Sequence, residues 1–192
     1  MKFAQLFFTC IGLLYTCLCI AYDTEIDGLR YDWVSYYNAN KTGGDVSLVG
    51  YSSSELTENL VIPCSIKWNE SRKGHEGRNC QVCTVEKNAF EGCTILKSIS
   101  FGCVQSIMGG AFKDCSSLEE ISFSNTILSI LPLSFSGCTS LSEIHLDKNT
   151  PPTGIYEDSF DEEIYKKAIL FVPEGCVEAY RNSDGWNKFV NI

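Results

Sequence analysis

Residues Ala89–Phe101 read AFEGCTILKSISF; AFKDCSSLEEISF follows at Ala111–Phe123, and SFSGCTSLSEIHL at Ser134–Leu146. Four slots match through all three copies. An aromatic slot holds Phe90, Phe112 and Phe135, and a cysteine slot holds Cys93, Cys115 and Cys138. A leucine slot holds Leu96, Leu118 and Leu141, and an isoleucine slot holds Ile99, Ile121 and Ile144. The copies start 22 and 23 residues apart. A period that short corresponds to one supersecondary unit per copy, too small to bury its apolar face without stacking on its neighbours. The middle of the chain is therefore expected to be a solenoid, an architecture that favours binding over catalysis.

Within each copy the alternation Leu-x-x-Ile-x-Phe (or Leu) sets Ile99 with Phe101, Ile121 with Phe123, and Ile144 with Leu146 on one face of a strand. The residues between them, Ser98, Ser100, Glu120, Ser122, Glu143 and His145, fall on the opposite, outward face, where stacked coils align them in two columns. Strand spacing of about 4.8 Å makes a Glu120–Glu143 neighbour pair mildly repulsive, which a basic or hydrogen-bonding partner would relieve. The connecting arcs repeat as well: Val82, Val104 and Ile127 precede the aromatic slot by eight residues, and Val85, Ile107 and Ile130 by five. They lack a helical period, so turns or short 3-10 pieces are expected there.

The rest of the chain follows from these copies. Lys2 and the apolar run Phe3–Ile20, with Ala21 before Tyr22, read as a secretory signal over residues 1–21, removed on export. Residues 22–59, rich in Tyr, Gly and Ser, suggest a β-rich N-terminal cap whose hairpin covers the first coil. Repeats occupy 60–158, regular over 80–158, with Leu60–Pro63 as an irregular first strand and a polar insertion near Asn69–Asn79. A degenerate copy at Ser159, SFDEEIYKKAILF, keeps Phe160, Ile169 and Phe171 in their slots, with Glu163 and Lys166 replacing cysteine and leucine. With a short helical C-terminal cap, in which Tyr180, Trp186 and Phe189 close the core, it makes up residues 159–192.

These phrases resemble the BspA-type leucine-rich repeats of surface proteins from anaerobic Gram-negative bacteria. The pattern aromatic-x-x-Cys-x-x-Leu-x-x-Ile-x-Leu fits residues 90–101, 112–123 and 135–146. The closing Val172-Pro-x-Gly-x-Val-x-Ala-Tyr180 and Gly185-Trp-x-x-Phe189 is similar to that family's ending, and Tyr22–Tyr31 to its mature start. The resemblance implies a right-handed leucine-rich-repeat solenoid of short parallel strands with turn or 3-10 outer arcs. It also implies export to the cell surface or the extracellular or periplasmic side, and adhesin-like binding of a protein or glycan, including host extracellular proteins. It carries no catalytic residues. The alternative function is structural, a component of a surface assembly acting by self-association.

Other chemistries find little support. Net charge is −9, with 15 Lys and Arg against 24 Asp and Glu, so a nucleic-acid partner is not expected. No second apolar run would give the mature chain a transmembrane span. Cys80-x-x-Cys83 has redox or metal spacing, but in an extended segment the two point to opposite sides. A lone pair also cannot fill a tetrahedral zinc site, so no metal or cofactor is expected. Tyr51–Ser54 is not a nucleophile elbow. His75 has no partner pattern, and Asn40–Thr42 and Asn69–Ser71 are glycosylation acceptors only in a eukaryotic pathway. Cys93, Cys115 and Cys138 are expected to be buried, reduced thiols, because parallel stacked side chains keep their Cβ atoms too far apart for bridging. The pairing of Cys64, Cys80, Cys83, Cys103 and Cys176 stays open.

Overall fold

The computed structural model describes residues 23–36, 43–68 and 77–192. Residues 1–21, expected to be a signal sequence, lie outside these residues, as do His75 and both Asn-x-Ser/Thr sites. In chain order the elements begin with β1 (Thr24–Ile26), β2 (Leu29–Tyr36), β3 (Gly43–Tyr51), β4 (Asn59–Ile62), β5 (Ser65–Lys67) and β6 (Asn79–Val85). Next come β7 (Ser98–Phe101), β8 (Ser106–Ile107), β9 (Glu120–Phe123), β10 (Ser129–Ile130), β11 (Glu143–Leu146) and β12 (Gly154–Ile155). The chain ends with α1 (Glu162–Lys167), β13 (Ile169–Phe171), α2 (Val177–Arg181) and a 3-10 turn at Trp186–Lys188.

The repeat strands form a five-stranded sheet ordered β13-β11-β9-β7-β4. All its pairs are parallel and in register, with Leu60, Ile99, Ile121, Ile144 and Leu170 in one row. Their inward side chains are buried, and each coil's aromatic slot stacks on the next. Tyr51, Phe90, Phe112, Phe135 and Phe160 form a continuous column with centroid separations of 5.2, 5.0, 5.3 and 5.0 Å. A second column begins with Phe101 on Phe123, 5.1 Å apart. Parallel rings at this spacing add to simple area burial, so the repeat unit selects its neighbour by the aromatic slot.

The arcs between aromatic slot and strand show why some slots favour small or polar residues. Two positions per coil have left-handed backbone: Asn88, Gly110 and Leu133 before the aromatic, and Gly92, Asp114 and Gly137 after it. Asn, Asp and Gly take that conformation at little cost, whereas Leu133 does not. Neighbouring arcs are stitched by backbone bonds from the N–H of Phe90 to Ala111, Phe112 to Ser134 and Phe135 to Ser159, at 2.8, 2.8 and 2.9 Å. The free, buried thiols of Cys115 and Cys138 donate to the Phe90 and Phe112 carbonyls at 3.1 and 3.2 Å. Cys93 is free and buried too. The cysteine slot thus holds a small apolar group that also caps a carbonyl of the preceding coil.

Three expectations are corrected. Besides the expected turns, the outer arcs contain a second sheet in place of 3-10 pieces: two-residue strands pair β6-β8-β10-β12 in parallel, aligning Val85, Ile107, Ile130 and Ile155. Two residues per coil are too few for a strand period to emerge, but intercoil backbone bonding still builds the ladder. The N-terminal hairpin joins this second sheet, β3 running parallel to β6, so it does not pair with the edge of the repeat sheet. The third correction concerns the last coil. Leu170 takes the isoleucine slot while Ile169 and Phe171 face outward. A helix advances only about 1.5 Å per residue against about 3.3 Å for a strand. With α1 in the arc, ten residues rather than nine separate aromatic from strand slot (Phe160 to Leu170, against Phe90 to Ile99), and a one-residue offset exchanges the two faces of a strand.

Beyond β13, Tyr180, Trp186 and Phe189 are buried. The Trp186 indole donates to the Pro152 carbonyl at 2.8 Å, the Tyr180 hydroxyl donates to that of Lys148 at 2.7 Å, and Phe189 packs edge-on to Phe160. At the other end a disulfide joins Cys64 to Cys103. Cys80 is buried, and Cys83 sits at a β-bulge opposite Val46 and Ser47, half-buried, its thiol donating to the Asp45 carboxylate at 3.5 Å. The two cysteines of that motif are unbonded to each other.

Candidate functional site

The outward face of the repeat sheet is built by alternation. Because Leu60, Ile99, Ile121, Ile144 and Leu170 point in, their neighbours must point out. Strand register sorts these into two columns. The first runs Asn59, Ser98, Glu120, Glu143, Ile169, and the second Val61, Ser100, Ser122, His145, Phe171. All six residues expected on this face, Ser98, Ser100, Glu120, Ser122, Glu143 and His145, therefore lie together on it. Asn59, Val61, Ile169 and Phe171 extend the columns, and sequence reading missed them as members. Val61 and Asn59 flank the buried residues of the first strand and were legible from that alternation. Ile169 and Phe171 were hidden by the one-residue offset in the last coil.

The polar groups interact along and across the columns. The His145 imidazole Nε2 lies 3.3 Å from Glu143 Oε2 and 3.8 Å from Glu120 Oε1, and its ring stacks on Phe171 with centroids 4.4 Å apart. The Ser122 hydroxyl donates to Glu120 Oε1 at 3.4 Å, and that of Ser98 to Asn59 Oδ1 at 2.8 Å. The expected carboxylate repulsion thus meets a polar group within the molecule: the Nε2 edge of His145 faces both glutamates, closer to Glu143 than to Glu120. Phe171 fixes the plane of the imidazole. Lys97 pairs with Glu58 at 2.7 Å at the border of the face, and that ion pair holds the lysine's pKa above its ordinary value. His145 faces two carboxylates and a phenyl ring rather than a nucleophile. Among the described residues no three His, Cys, Asp or Glu side chains converge as a metal site would require.

The face is polar in the middle and apolar at both ends, with Val61 69% exposed at one end and Phe171 42% exposed at the other. This arrangement can accept hydrogen bonds from hydroxyl or cationic groups at its centre and contact apolar groups at its margins.

The profile of the BspA type leucine rich repeat region matches residues 79–174, half of the chain, in six copies. The chain belongs to the BspA-type leucine-rich-repeat family. Solved structures agree on the fold. A leucine-rich repeat protein from Bacteroides capillosus superposes with a TM-score of 0.58 at 19% identity, covering 78% of this chain and 97% of that one. One from Bacteroides ovatus gives 0.54 at 21% identity, covering 80% of this chain and 38% of the other. A leucine rich cell surface protein from Faecalibacterium prausnitzii gives 0.54 at 17%, over 79% of this chain and 37% of that one. A search of curated proteins finds no match. This BspA-type chain thus spans less than two fifths of the latter two proteins, and what it shares with all three is the fold.

Proposed function

We propose that this BspA-type chain is an exported, non-catalytic binding module. It would engage a protein or glycan outside the cell through the outward face of β4, β7, β9, β11 and β13. The observation that carries the reading is the pair of in-register columns. They expose Phe171 and Ile169 beside a Glu-His-Glu cluster, and Val61 at the far end of the face, where alternation alone requires only solubility. On this reading the coil is right-handed, and residues 22–59 and 159–192 act as terminal caps. The Cys64–Cys103 disulfide supports an oxidising compartment, consistent with removal of residues 1–21 on export. Intact mass of the natively expressed protein should lack those 21 residues; a full-length chain retained in the cytosol would defeat this localisation.

Magnitude limits what the face does alone. Five strands at about 4.8 Å and four residues at about 3.3 Å give a footprint of roughly 300 Å². Standard interfaces use about 800 Å² per partner. The face therefore supports either a weak contact or one that extends over the adjoining arcs. Residues 22–192 should be probed against arrays of host extracellular proteins and glycans, alongside the Glu120→Lys/Glu143→Lys variant. The reading expects selective ligands whose binding the double variant reduces at least about fivefold. Binding of every ligand unchanged in the variant would remove this face from consideration.

A further inference from the structure

The repeat sheet ends differently on its two sides. At β13 the chain covers its own edge: Asn191 bridges Ile169 in parallel, and its carbonyl accepts the Leu170 N–H at 2.9 Å. At β4 no strand pairs with the outer side among the described residues. Bonds toward β7 reveal which groups face the open side. The carbonyl of Glu58 accepts from Lys97 and Ser98, and that of Ile62 from Gly102. Backbone groups of residues 58, 60 and 62 thus point to β7, and those of Asn59 and Val61 point away. The Asn59 carbonyl is taken by the Thr57 hydroxyl at 2.9 Å. The Asn59 N–H and both Val61 backbone groups are left along the edge, and Pro63, with no N–H, ends it.

A cleft of about 510 Å³ runs beside this edge. Ile26, Leu29, Leu56 and Ile66 give it an apolar lining, and Asp27 and Glu55 contribute two carboxylates, with no lysine or arginine among the lining residues. Gly28 keeps Glu55 against the β1–β2 turn, since a Cβ at position 28 would lie 2.8 Å from the Glu55 Cβ. The cleft therefore combines a strand edge, apolar walls and uncompensated negative charge.

We infer that this cleft binds an extended, basic peptide segment of a partner protein, which adds to β4 as a sixth strand of the repeat sheet. Backbone bonds to Val61 set the register, alternate apolar side chains enter the cleft, and a lysine or arginine faces Asp27 and Glu55. This site uses the backbone edge of β4, whose Asn59 and Val61 side chains also end the outward columns, and does not depend on that face binding anything.

The test uses a fluorescein-labelled hexapeptide of alternating threonine and valine with one central lysine, its glutamate counterpart, and a version N-methylated beside the lysine. With the oxidised chain, the lysine peptide is expected to bind. Either change is expected to weaken it by about fivefold, the effect of one lost hydrogen bond or one reversed charge. Val61→Pro should weaken it similarly, because the missing N–H points away from β7 and the ladder is retained. Asp27→Asn/Glu55→Gln should erase the preference for lysine over glutamate without altering β4. Binding should also slow exchange of the Val61 amide. Equal binding of lysine and glutamate peptides, or no binding of the lysine peptide at millimolar concentration, would overturn the proposal. So would a peptide-free dimer that Val61→Pro dissociates, which would assign the edge to a second copy.

Discussion

Removing the Cys64–Cys103 bridge should cost this small solenoid a large part of its stability. The two cysteines are 39 residues apart and occupy the same position in successive coils, two residues past Ile62 and Phe101, with Cα atoms 4.4 Å apart. Gly102 lets the corners meet: a Cβ there would lie 2.7 Å from the Cys64 nitrogen. In the chain-entropy account a loop of that length is worth about 4 kcal/mol to the folded state. Domains of this kind have only about 5–15 kcal/mol in total. Urea unfolding of the oxidised chain should be compared with Cys64→Ala/Cys103→Ala. A loss of about 2–4 kcal/mol over a slope near 2 kcal/mol/M would lower the midpoint by about 1–2 M. Thiol counting under denaturing, non-reducing conditions on residues 22–192 should find six thiols, with Cys93, Cys115 and Cys138 among them. Equal midpoints, or a bridge mapped between Cys93 and Cys115 or between Cys115 and Cys138, would overturn this role for the Cys64–Cys103 bridge.

Three further outcomes are expected. Leu170→Ala should destabilise by about 2–5 kcal/mol and Phe171→Ala by less than about 1 kcal/mol; the reverse order in chemical denaturation would restore the uninterrupted alignment of the last coil. Leu133→Asn should stabilise by about 1 kcal/mol, since φ is 60° at a position whose equivalents are Asn88 and Gly110, and a lower thermal midpoint would contradict this. Burial first, and the Asp45 carboxylate second, push the Cys83 thiol up to about 11. Its contribution to stability is therefore complete below the ordinary thiol range and is lost as pH rises through about 11. Iodoacetamide should label Cys83 slowly at pH 8 and several-fold faster in Asp45→Asn, as followed by mass spectrometry; an unchanged rate would remove Asp45 as a cause.

The regular coils were legible in the sequence because each slot serves a single physical role. Phe90, Phe112 and Phe135 stack, Cys93, Cys115 and Cys138 fill a tight corner, and Ile99, Ile121 and Ile144 point inward. The outward face followed from the same alternation. The second sheet was not legible, since pairs such as Ser106–Ile107 and Ser129–Ile130 have no period of their own and exist only through intercoil bonding. Phe171 was misplaced because α1 consumes an extra residue, which a fixed thirteen-residue alignment does not allow. The disulfide could have been found. Extending the repeat alignment two residues past the strand sets Cys64 beside Cys103, where the next coils carry Asn125 and Lys148.

The proposed function rests on recognition through the outward strand face. Amide chemical-shift perturbation measures this directly, titrating isotope-labelled residues 22–192 with a ligand selected on the extracellular protein and glycan arrays. The reading predicts that shifts concentrate at Ser98–Phe101, Glu120–Phe123, Glu143–Leu146 and Ile169–Phe171, with the His145 ring protons moving as well. Shifts confined to the second sheet, at Ser106–Ile107, Ser129–Ile130 and Gly154–Ile155, would contradict it.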